Sequence, residues 1–272
     1  MTAAVVVVII LAPGRGVPPD LAADAGARLV RELGPSAMPD AAGALRRLDQ
    51  RTGTRVRFET ERQRARRLRA EYPEDAVVAM RTALQAADEG FLDLTDPGMM
   101  TETRVELGQL EMEAGRPDEA RRVFAAALAV DPAYRPDPAR ISPAARQAFA
   151  DVVPPVCGRA DPARARRAAE ALGATRLVLL STCQDGGRVR LRAIDVGLDP
   201  GGPRAERDEF VPLGGELRPA QARRLLGAPE PREARPWYRS RWVWVVAGAV
   251  VATAVAVPLA TADETGDVRV HW

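Results

Sequence analysis

Between Trp242 and Ala262 the chain runs for 21 residues without a charged side chain. At about 1.5 Å per residue, a helix of that length spans roughly 30 Å, the thickness of a bilayer's hydrocarbon core. Trp237, Tyr238, Trp242 and Trp244 crowd its upstream end, where amphipathic rings favour the headgroup region. The run therefore reads as one transmembrane helix over 242–262 rather than as a buried helix of a soluble domain. Its interface anchors are Arg239, Arg241, Trp237, Trp242 and Trp244. A linker rich in Arg and Pro (229–241) precedes the span and a short tail (263–272) follows it, which leaves residues 1–228 to build a folded body.

Composition narrows what that body can do. All 39 residues of the Lys+Arg total are Arg, and the sequence contains neither Lys nor Asn. A P-loop, a kinase site and Schiff-base chemistry each need a Lys, so none can be assembled. The single His is His271, next to the last residue, which removes a His-centred triad, an HExxH zinc site and a Cys2His2 finger. No catalytic, cofactor-binding or metal-ligating set is assigned, and no small-molecule ligand is expected. With 37 acidic residues against the 39 Arg, the net charge of +2 is too balanced for a nucleic-acid footprint. The lack of Lys and Asn with abundant Ala, Gly and Pro fits the codon bias of a high-GC bacterium, so Arg content alone carries no functional message.

Four Arg (Arg232, Arg235, Arg239, Arg241) precede the span, whereas Asp263, Glu264, Asp267 and one Arg, Arg269, follow it. The positive-inside rule then puts residues 1–241 in the cytoplasm of a single-pass bacterial inner-membrane protein. The alternative is a periplasmic body, with residues 1–12 as a signal segment. The apolar run Ala3 to Leu11 lacks a preceding cation and a small-x-small cleavage site, and Val5 to Ile10 are six consecutive β-branched residues. A buried parallel strand is the better reading.

The fold class expected is α+β: a split α/β domain (1–50 and 158–228) carrying an inserted helical hairpin array (51–153), plus the C-terminal span. After the first strand, Leu21, Ala25, Leu29 and Val30 share a helical face, with Asp20 as N-cap and Gly34 as terminator. The intervening loop Ala12-Pro13-Gly14-Arg15-Gly16 sits where dinucleotide folds cradle phosphate. It lacks the third glycine and has prolines at the helix start, so a tight turn is favoured. In the second segment Asp161 caps a helix running to Leu172. Strands at 176–183 and 188–196 flank the turn Asp185-Gly186-Gly187, a third is expected over 207–213, and a helix at 218–226 closes the domain. Val189, Leu191 and Ala193 alternate with Arg188, Arg190 and Arg192, so the Arg row reads as an exposed sheet face.

The stretch Ala171-Leu172-Gly173-Ala174-Thr175-Arg176-Leu177-Val178-Leu179, with Gly186-Gly187-Arg188-Val189-Arg190-Leu191 and Ile194-Asp195-Val196, resembles the α/β domains of TolB amino-terminal and curli-secretion CsgG-type proteins. The resemblance covers about forty residues and implies a non-catalytic assembly or protein-interaction module.

The middle of the chain is helical. Leu107, Gly108, Gly115, Ala120, Phe124, Ala127 and Pro132 fall at the spacings of a tetratricopeptide repeat, with Arg104 and Glu111 where Trp and Tyr are usual. A shift of 44 positions aligns Pro117-Asp118-Glu119-Ala120 with Pro73-Glu74-Asp75-Ala76 and Phe124 with Met80, which reveals an older first repeat. Its first helix is expected over 56–72, a loop over 93–100, and a capping helix over 142–152. By analogy with the repeat family, Val105, Gln109 and Met112 are candidates for a partner-binding concave face. Residues 51–72 hold eight Arg against three Glu, and Arg62, Arg66 and Arg69 share one face. Such a row suits anionic lipid or an acidic partner, but a solvated face neutralised by the acidic segments 73–90 and 91–130 is favoured.

Cys157 and Cys183 lack a His partner for catalysis and read as structural. They pair if the body is exported and stay reduced if it is cytoplasmic. The whole resembles single-pass tetratricopeptide proteins of high-GC bacteria, and the expected function is a membrane-anchored, non-catalytic scaffold or adaptor. Its partners are another protein, or itself, and the bilayer. One alternative is a homo-oligomeric component of an envelope or secretion assembly; a weaker one is an enzyme on the α/β domain.

Overall fold

The computed structural model describes residues 5–158, 161–196 and 205–228. The linker, the proposed span 242–262, the tail and all five interface anchors lie outside the described residues. Among the described residues no helix is long and apolar enough to cross a membrane. The body is mixed α+β, and residues 1–228 form one compact unit.

Strand β1 (Val6–Ile10) is followed by helices α1 (Pro19–Leu33) and α2 (Ala41–Arg51). Six helices come next: α3 (Thr54–Leu68), α4 (Pro73–Glu89), α5 (Leu92–Thr95), α6 (Pro97–Glu113), α7 (Pro117–Val130) and α8 (Pro143–Ala150). The chain then returns through α9 (Pro162–Ala171) to β2 (Arg176–Asp185), β3 (Arg188–Val196), β4 (Ala205–Pro212) and α10 (Pro219–Leu226). The sheet has the order β1-β2-β3-β4, with β1 parallel to β2 and the other pairs antiparallel.

Helices cover both faces of the β1–β2 half, which is why β1 is apolar throughout rather than alternating. On one face α1 and α10 pack Leu29, Ala222 and Leu225 against Val6, Val178, Leu180 and Leu191. On the other, α2 and α9 set Leu45, Ala165 and Ala168 against Val7, Ile9, Leu177 and Leu179. Val6, Val7 and Ile9 are thus built into the core, with Val7 fully buried, while Ile10 at the strand end is exposed. The predicted loop 93–100 is instead the one-turn helix α5 followed by the start of α6. Asp96 causes this by capping α6 through the Met99 amide, while Pro97 occupies the first helical turn.

The two hairpins α3–α4 and α6–α7 stack side by side, and α8 closes the stack by placing Phe149 edge-on to Phe124, with ring centroids 5.4 Å apart. Phe124 is fully buried, as are Ala120 and Ala127. Gly108 is obligatory for this contact, since a Cβ there would lie 2.3 Å from the Phe124 ring. Gly115, at φ +75°, turns the chain out of α6 in the left-handed region and lets the Arg116 amide reach back to the Glu111 carbonyl.

Replacing Gly108 by Ala should therefore cost about 1–3 kcal/mol by overpacking. It should appear as a lower denaturant midpoint at unchanged slope. Gly98→Ala, in the same helix but with open space around it, should be neutral or stabilising by up to about 1 kcal/mol.

Candidate interaction surface of the helical array

The Arg row of the first repeat faces the second. Helices α3 and α6 are the first helices of consecutive hairpins, so residues 44 apart in sequence occupy equivalent positions and lie across one groove. Arg62 donates to Glu106 at 2.8 Å and pairs with Glu102 at 2.9 Å. Arg66 reaches Glu106 at 3.1 Å, and Arg69 reaches Glu113 at 3.0 Å. The charge at an equivalent position thus changes sign between repeats. This answers part of the steep local charge of residues 51–72: Glu102, Glu106 and Glu113 of the second hairpin neutralise Arg62, Arg66 and Arg69.

Ala65, Met80 and Leu110 form the floor of this groove, and Arg66, Arg69, Glu106, Gln109 and Arg140 its walls, around a volume of about 470 Å3. Burial alone would push the Glu106 carboxyl up, but hydrogen bonds from Arg66 and Arg62 and their charges outweigh it and hold the group below its ordinary value. The Tyr134 phenol is pushed up by burial and by the nearby Glu102 and Glu106 charges. Of the three concave-face candidates, Gln109 lines the groove and is held by Glu113 at 3.1 Å. Val105, only 6% exposed, belongs to the packed cluster of α7 and α8, and Met112 packs against it.

Glu111, fully buried, and Arg104, largely buried, form polar joints between helices. Glu111 is fully buried and accepts from Arg81 at 2.7 Å and Arg116 at 2.6 Å, tying α6 to α4 and to the start of α7. Arg104 donates to Asp93 at 3.1 Å, and Asp93 also contacts Arg164 of α9. Burial depresses the Arg104 guanidinium, with the Asp88 charge opposing. Asp49 of α2, buried, accepts the Phe91 amide at 3.0 Å beside Gly90. Burial raises its pKa against that hydrogen bond and the Arg55 charge. Sequence spacing pointed to none of these joints, because each pairs residues from different helices.

A fourth joint lies where the array returns to the sheet. Cys157, in the strap after α8, is disulfide-bonded to Cys183 of β2, with Cα atoms 5.0 Å apart. Gly14 lets three backbones meet there: its amide donates to the Thr182 carbonyl at 2.8 Å, and a Cβ would lie 2.7 Å from both that oxygen and the Val156 carbonyl. The glycine loop after β1 is therefore filled by protein in the manner of a tight turn. On the neighbouring sheet face the Arg row is only partly exposed. Arg192 pairs with Asp208 at 2.9 Å, and Arg190 lies 4.0 Å from the Cys157 sulfur. Among the described residues no cluster of His, Cys, Asp and Glu is arranged to hold a metal ion.

Glu106 has a folded pKa below its unfolded value, so its contribution to stability is present at neutral pH and is lost as pH falls below about 4.5 and through the folded value. Glu106→Gln should lower the melting temperature at pH 7 and flatten its decline between pH 5 and 3, read by thermal unfolding across pH. No family model matches the chain, and no curated protein or solved structure matches it.

Proposed function

We propose that the protein is a membrane-tethered, non-catalytic scaffold that holds a partner protein through its helical array. The observation that carries this is the α3–α6 groove, a formed and polar-walled surface on stacked hairpins whose buried residues are committed to packing. The groove offers recognition chemistry without a reactive centre: guanidinium and carboxylate groups, one amide and an apolar floor. Tethering rests on the 21-residue uncharged run and its Trp and Arg flank. The resemblance of the repeat to tetratricopeptide hairpins supports the same reading.

For the side of the membrane we infer an oxidising compartment. The Arg flank favours a cytoplasmic body, but a disulfide between the two cysteines belongs to compartments that sustain it. Orientation by flanking charge is a statistical bias, whereas a body of this size translocates largely regardless of charge. The place of β1 in the sheet supports its retention with the body on either side.

A photo-crosslinking amino acid at Arg140, 76% exposed on the groove rim, should give a discrete adduct in cells, while the same group at Arg121 on α7 should not. Identical adducts from both positions, or none from Arg140, would count against the groove. An adduct of twice the chain's mass would favour the homo-oligomeric assembly instead. Alkylation of the denatured protein without reductant should block no thiol, and two after reduction. Two free thiols in protein taken directly from cells would return the body to the cytoplasm.

A further inference from the structure

A second surface lies away from the α3–α6 groove and does not depend on it. The end of α7, helix α8 and the proline-rich run after Pro132 enclose a groove of about 550 Å3. Its bed is apolar: Phe149, 7% exposed, and the partly buried Val152 line it over the fully buried Leu128. Pro136, Pro138 and Pro154 wall it. Proline has no amide proton and a fixed φ, so these walls are rigid and cannot be closed by helix or sheet pairing. Val153, next in sequence to Val152, is 89% exposed.

Three guanidinium groups border this bed: Arg15, Arg135 and Arg146. Arg15 and Arg146 have no hydrogen-bond or ion-pair partner among the described residues, and Arg135 donates only to the backbone carbonyls of Ala133 and Tyr134. Arg15 and Arg146 meet no described carboxylate, whereas the Arg135 charge acts on the Asp131 carboxylate. The α3 row differs, because Arg62, Arg66 and Arg69 are neutralised by Glu102, Glu106 and Glu113. The groove also draws on both parts of the body. Arg15 comes from the β1–α1 turn, which Gly14 and the Cys157–Cys183 bond hold against the strap.

We propose that this groove docks a short acidic segment of a partner protein that lays an apolar side chain against Phe149 and Val152 while its carboxylates pair with Arg15, Arg135 and Arg146. Apolar floor and uncompensated cationic rim together select that chemistry, since each alone accepts many surfaces and only the combination requires both features in one ligand.

The test is fluorescence anisotropy on the full chain in detergent with a panel of labelled peptides of about twelve residues, each carrying several Glu at varied spacing around one Phe or Leu. At least one should bind saturably. The double variant Arg15→Gln, Arg146→Gln should weaken it by about ten-fold or more, as should replacing the peptide's Glu by Gln or its Phe by Ala. Raising the salt well above physiological strength should weaken it too. Both substitutions lie on exposed side chains, so folding is kept, and Arg66→Gln, Arg69→Gln should leave binding within about two-fold. No saturable binding across the panel, or binding indifferent to the Arg15 and Arg146 changes, would overturn the proposal. Tighter binding of a soluble short-chain phosphatidylglycerol at the same residues would assign the groove to lipid and overturn it as well. Loss of the Arg140 adduct would leave this result untouched, so the two surfaces fail separately.

Discussion

The parallel pairing of β1 with β2 is the constraint on which the rest of this fold depends. Its partners include Val7 with Leu177 and Ile9 with Leu179, residues 170 apart in sequence. Parallel strands cannot be joined by a tight turn, so everything from α1 to α9 is the crossover between them. The closure entropy of so long a connection grows only slowly with length, and here most of the connection is itself folded. The array must also leave and re-enter the α/β layer at fixed places. Close backbone approaches at Gly14, Gly90 and Gly158, together with the Asp49–Phe91, Asp93–Arg164 and Cys157–Cys183 joints, set those places.

Within the array, packing and charge divide the work. A fully buried side chain such as Phe124 contributes about 1.5–3 kcal/mol relative to exposure, whereas a solvent-exposed ion pair contributes about 0–1. The contact of Phe124 with Gly108 and Phe149 therefore stabilises the hairpin stack, and the Arg62, Arg66 and Arg69 pairs with their glutamates chiefly set register between repeats. The same pairing gives the two grooves different characters. One has its cations answered from within; the other leaves Arg15 and Arg146 without a partner among the described residues.

Much of this was legible in the chain itself. Alternation in 188–193 and the Gly-Gly turn announced the β-hairpin, the Asp161 cap announced α9, and the 44-residue shift pointed to the two helical hairpins, because these signals are local or periodic. Helix α5 was read as loop because one turn is too short for periodicity to register. Val105 and Met112 were placed on the concave face by analogy. In the fold they turn toward α7 and α8, since a capping helix offers them apolar partners that an open repeat lacks.

The amino-acid sequence by itself determined the lack of Lys, the single His at position 271, the uncharged 21-residue run, the mixed α+β character of the body and the 44-residue offset between similar segments. All of these follow from residue identity and spacing along one chain. Only the tertiary structure decided which charges cancel, which stay unanswered, and that Cys157 meets Cys183. Each of those depends on distances between residues tens of positions apart, and such distances are set by how the helices stack and where the strap returns to β2.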